Sequence, residues 1–154
     1  MAGLTNRAVV ERYLRAVPLD YETLADLRHP DFVEEWPQSG ERIRGHDAHR
    51  RIHENYAGGA PRPNPIGVVG AQDRWVVTPS YTVLGIVGAG DEFTTLGLGS
   101  YPDGSTAYVV SVLRLRDGKV AKATTFFAAP FEAPAWRAGW IERMSDAERR
   151  EVLK

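Results

Sequence analysis

The chain has 154 residues, 43% of them hydrophobic, and its 19 Lys and Arg against 20 Asp and Glu leave a formal net charge of -1. That size suits one domain with its own core, and the charge balance argues against a nucleic-acid partner, which needs a net-basic face. The lack of any cysteine excludes disulfides, thiolate nucleophiles and thiolate zinc sites.

The opening MAGLTNRAVVERY is charged every few positions, unlike a signal peptide. The longest apolar stretch, Ile66 to Ala71, is too short to span a membrane. A cytoplasmic protein with no membrane partner is therefore expected.

From Leu4 to Val17, Val9, Val10, Tyr13, Leu14 and Val17 form a helical stripe. Thr5 or Asn6 caps its start and Pro18 stops it. Asp20 opens a second, short helix through Tyr21, Leu24 and Leu27, which ends near His29 and Pro30. Asp31 to Trp36 reads as a short strand, and Pro37 to Gly40 as a turn. A third helix runs from His46 to Tyr56, with Asp47 as a cap and Ala48, His49, Ile52, His53 and Tyr56 along one face. Arg42, Arg44, Arg50 and Arg51 interleave with Glu41, Asp47 and Glu54, the pattern of a solvated surface with local ion pairs.

From Pro65 the period changes to 2. Ile66 to Val69, Arg74 to Val87, Glu92 to Tyr101, Ser105 to Arg116 and Lys119 to Phe127 read as strands. Short turns at Gly88 to Asp91, Pro102 to Gly104 and Asp117-Gly118 make them an antiparallel meander, because parallel strands need longer connections. Pro79 implies an edge or a bulge in the long strand. After Pro130 a C-terminal helix is expected, carrying Phe131, Trp136, Trp140, Ile141 and Met144.

These elements predict a single α+β domain over 1–154: a cone-shaped, curved antiparallel sheet packed by three N-terminal helices, with a C-terminal helix. A hollow between helices and sheet then holds a small hydrophobic molecule. The strand from Ser105 to Arg116 is largely apolar on both faces, so its outer face is expected to be buried in a homodimer.

The segment Phe32 to Glu41, then Ile43-Arg44-Gly45, and the stretch Phe126 to Trp140 resemble the nuclear-transport-factor-2-like superfamily, most of all its polyketide-cyclase-like, or SnoaL-like, branch. The resemblance covers almost the whole chain and implies the fold more firmly than the activity, since these folds host isomerases, cyclases, epoxide hydrolases, dehydratases and binding domains. Arg12-Tyr13-Leu14 is similar to the ketosteroid-isomerase segment whose tyrosine donates to a developing enolate. The family's aspartate base is replaced by Trp36, and the place of its second oxyanion donor holds Ser111.

The candidate catalytic residues are thus Tyr13, His53, Glu35 and Ser111. His53 shares a helix face with His49 and Tyr56 and serves as a base near neutral pH or as a buried structural histidine. His46, His49 and His53 lack an HExxH pattern, and no metal is expected. Glu35, beside Trp36, is either an acid/base group or a partner for a nearby arginine. Trp36, Tyr56, Tyr81, Phe93, Leu113 and Phe127 are the candidate pocket residues, each also at home in a core.

The implied function is cofactor-independent isomerase- or cyclase-type proton transfer on a small hydrophobic carbonyl or polyketide-like compound. The alternative is a ligand-binding or accessory domain without turnover.

Overall fold

The computed structural model describes residues 4–17, 19–56, 81–101 and 104–149, and the backbone alone over 75–78. Thr5 caps helix α1 (Asn6–Ala16), its hydroxyl accepting from the Ala8 amide at 3.3 Å. The stripe Val9, Val10, Tyr13 and Leu14 is buried against the sheet. Asp20 caps α2 (Tyr21–Leu27) by accepting from the Thr23 amide at 3.1 Å. Strand β1 (Arg28–Trp36) follows without a break, then β2 (Glu41–Arg44) and α3 (Gly45–Glu54). Arg44, with no side-chain cap bond, precedes α3, and Asp47 lies inside its first turn instead of capping it.

The meander is β3 (Trp75–Thr78), β4 (Tyr81–Ala89), β5 (Glu92–Ser100), β6 (Thr106–Arg116) and β7 (Lys119–Ala128). The long strand expected from Arg74 to Val87 is two strands, β3 and β4, which pair antiparallel. The expected strand at 66–69 and Pro79 lie outside the described residues. The β6–β7 turn places Asp117 and Gly118 at φ 53° and 69°, as a two-residue hairpin turn demands.

The seven strands run in the order β2-β1-β7-β6-β5-β4-β3. β1 lies parallel to β7, pairing Glu34 with Ala123 and Glu35 with Thr124. The sheet is therefore a mixed, open layer with β2 and β3 at its edges, which corrects the cone-shaped, wholly antiparallel sheet predicted from the strand-to-strand turns. Those turns govern neighbours only. α3 and the whole meander separate β1 from β7 and supply the long connection that parallel pairing needs.

The expected C-terminal helix is also corrected. Residues 129–145 contain no helix or strand apart from one 3-10 turn, Ala135–Arg137, and α4 (Asp146–Arg149) is a single turn. Pro130 and Pro134 bring no amide donors, and Trp136 and Trp140 remain 69% and 82% exposed. A short helix without a buried face has little to stabilise it.

Alternation puts Phe93, Thr95, Val109, Leu113, Ala123 and Thr125 on the inner face, all buried, toward α1 and the core. The outer face carries the cross-strand row Leu96, Val110 and Phe126.

Candidate functional site

A cavity of about 580 Å³ lies between the inner sheet face and the helices α1 and α3. Tyr13 reaches it from the buried stripe of α1, His49 and His53 from successive turns of α3, and Glu34 and Trp36 from β1. Ser111, Leu113, Thr125 and Phe127 line it from β6 and β7, and Tyr81 from β4. Tyr56 stands at its rim, 40% exposed and stacked on Tyr101 with ring centroids 6.0 Å apart. The Trp36 and Phe127 rings meet edge to face at 5.5 Å. Phe93 is buried in the core and lines a separate shallow hollow with Thr5 and Asn6.

Glu34 is the buried charge of the cavity, 7% exposed. Its Oε1 accepts from Trp36 Nε1 at 3.0 Å and Thr125 Oγ1 at 2.9 Å, and His49 Nε2 stands 3.1 Å from Oε2. Burial pushes its carboxyl pKa up, but the bond and charge of His49, then the bonds from Trp36 and Thr125, outweigh it and hold the pKa at about 2. Burial wins at His49, whose pKa is lowered despite the neighbouring carboxylate. At neutral pH the pair is thus a carboxylate facing a neutral imidazole.

Proton directions follow along this chain. A carboxylate only accepts, so Thr125 spends its one hydroxyl proton on Glu34. Ser111 Oγ, 3.0 Å from Thr125 Oγ1, is then the donor of that pair. Ser111 offers the cavity lone pairs, and the enolate-donor role inferred by resemblance does not fit this network. His53 Nδ1 lies 3.0 Å from the His49 carbonyl, which only accepts, so Nδ1 carries a proton and Nε2, which has no partner among the described residues, faces away from that bond. The His49 and His53 rings are 4.4 Å apart. No group of three or more acidic or histidine side chains able to hold a metal occurs among the described residues.

Tyr13 receives a hydrogen bond from Arg28 Nη2 at 3.2 Å, not from His53, and keeps its own O–H to donate. Burial raises its pKa, and Arg28 offsets this only in part. The Tyr81 hydroxyl is likewise kept neutral by burial.

Glu35 stands outside the cavity. Its carboxylate pairs with Lys122 Nζ at 2.8 Å and Arg42 Nη2 at 2.7 Å, and these bonds lower its pKa. The inward carboxylate is its neighbour Glu34, which shares strand parity with buried Phe32 and cavity-lining Trp36. That parity is the signal in the sequence that identifies it.

The SnoaL-like domain model matches residues 10–123, which takes in most of α1, all of β1 and α3, and most of the meander. The chain belongs to the SnoaL-like family. No curated protein matches it by sequence. An NTF-2-like protein of unknown function from Burkholderia xenovorans LB400 is 29% identical, with a TM-score of 0.68 over 91% of this chain and 95% of that one. A protein from Kribbella flavida DSM 17836, provisionally named a ketosteroid isomerase, is 24% identical, with a TM-score of 0.69 over 91% and 90%. An LEH-like epoxide hydrolase from M. tuberculosis shares the fold at 20% identity, with a TM-score of 0.52 over 77% and 79%. Within the nuclear-transport-factor-2-like superfamily, this SnoaL-like chain thus carries Glu34, His49 and Thr125 as a buried polar network at the floor of an apolar cavity.

Proposed function

We propose that this SnoaL-like chain binds a small, largely apolar carbonyl compound in the cavity and moves a proton at the carbon next to the carbonyl, with no cofactor in the step. The observation that carries this is the presence, in one apolar cavity, of a phenol kept neutral by burial and an imidazole whose Nε2 has no partner among the described residues. The volume lies within the usual range for small-molecule sites. Tyr13 donates to the carbonyl oxygen. His53 Nε2 takes the proton as the C–H bond breaks, and the electron pair passes to oxygen as an enolate held by Tyr13. The proton then returns to the enolate at carbon. Glu34 is too weak a base for this at neutral pH; it fixes His49, on whose carbonyl the His53 tautomer depends.

The test is solvent deuterium incorporation into ketones first found to bind by thermal shift. Exchange that is lost in both His53→Gln and Tyr13→Phe supports the reading. Binding with no exchange in any ketone would sink it and leave a ligand-binding domain.

The outer sheet face supports a second element of the proposal, a homodimer. Leu96, Val110 and Phe126 form a continuous apolar row across three central strands, and Phe126 is 40% exposed.

A further inference from the structure

Arg28, at the junction of α2 and β1, is only 3% exposed, yet its guanidinium touches no carboxylate among the described residues. Nη2 donates to Tyr13 Oη at 3.2 Å. Nη1 lies 3.0 Å from His46 Nδ1, which must accept because a guanidinium only donates. The cation stands 4.2 Å from the Phe32 ring centroid, and its Nε has no partner among the described residues. A buried charge normally sits against its opposite. Here both hydrogen-bond partners are neutral acceptors, and one of them, Tyr13, opens on the cavity.

We infer that Arg28 is a positioning residue that turns the Tyr13 hydroxyl into an oxyanion-selective donor, so that the cavity takes enolisable and phenolic compounds in their anionic form. The inference rests on the reading of Tyr13 as the group that meets the ligand. The ligand's negative oxygen then supplies the counter-charge that the fold withholds from Arg28, relayed through one hydroxyl. The other titratable groups around this corner are Glu34 of β1, His46 and His49 of α3, Tyr21 of α2 and Tyr81 of β4. Glu34 opposes an anion, but its charge is already met by Trp36, Thr125 and His49. His46 stays an acceptor at neutral pH, because burial and the Arg28 charge lower its pKa. Both tyrosines are held neutral by burial.

The probe is 4-nitrophenol, whose phenolate absorbs visible light and whose neutral form does not. On binding, the probe's O–H bond breaks, its proton leaves to solvent, and the phenolate oxygen accepts from Tyr13. The wild-type protein should raise the ratio of phenolate to phenol by about tenfold or more over free probe at the same pH. Arg28→Met should abolish that rise and Arg28→Lys keep part of it, each with an unchanged circular dichroism spectrum. A merely structural role would not change the spectrum of the bound probe. Because the wild-type shift needs no variant, the inference stays testable if Arg28→Met does not fold. Failure to bind, binding as the neutral phenol, or a full shift in Arg28→Met overturns it. A wild-type shift without deuterium exchange in ketones keeps the oxyanion corner and removes the proton-transfer reading; exchange without the shift removes the corner alone.

Discussion

Glu34 and His49 face each other across the floor of the cavity, and acid is unfavourable to both. The folded-state pKa of Glu34, about 2, lies below its ordinary 4.5. The stability it contributes is therefore present above about pH 4.5 and is lost as the pH falls through about 2. The pKa of His49 is also lowered, by burial, so its neutral form favours the fold above its ordinary 6.5 and that contribution is lost as the pH falls below it. Urea midpoints should accordingly drop in two stages on acidification, with the lower stage belonging to Glu34. Glu34→Gln should cost about 1–3 kcal/mol at pH 7 and remove the lower stage; an unchanged profile in that variant would refute the assignment. Tyr13 was legible in the sequence because an apolar stripe of helical period points it inward. Glu35 draws attention first because it alone adjoins Trp36 in the sequence, and only the parity shared with Phe32 and Trp36 points to Glu34. Arg28 was invisible, because charge and propensity place an arginine at the surface and only the folded packing buries it.

Within β5, Gly97 is required by a close approach. A Cβ there would fall on the hydroxyl end of the Tyr81 ring from β4, and that ring lines the cavity. Gly97→Ala must displace the ring, at a cost of about 1–3 kcal/mol, and should weaken ligand binding. In a Tyr81→Val background the same change should cost far less, since the two sites are in contact. Equal costs in both backgrounds, measured by chemical denaturation, would rule out the clash. The caps Thr5 and Asp20 and the turn Asp117-Gly118 were legible because each is decided within a few residues. β1 begins at Arg28, before the His29-Pro30 pair that suggested a helix end, because α2 closes at Leu27 with no intervening loop.

At the scale of the molecule, the parallel pairing of β1 with β7 was beyond a local reading, since it joins segments about ninety residues apart and leaves no mark on either. The outer face was readable, because β6 is apolar at both parities. Leu96, Val110 and Phe126 lie side by side there, with Leu98 and Tyr108 in the next row. The C-terminal segment reaches this face where the Tyr108 hydroxyl donates to the Arg149 carbonyl at 3.4 Å, and Phe126 stays 40% exposed. If two copies bury this row, a lysine at its centre places an unpaired ammonium inside the interface. Val110→Lys should then raise the dimer dissociation constant about a hundredfold or more, roughly 3 kcal/mol, with the monomer's circular dichroism unchanged. The contrasting change, Arg114→Ala, lies in the exposed polar row with Glu92 and Lys122, where a surface ion pair contributes at most about 1 kcal/mol; it should leave association nearly intact. Analytical ultracentrifugation across a concentration series decides between them. A monomeric wild type, or a Val110→Lys variant that associates as well as Arg114→Ala, would mean that this face is not where two copies meet.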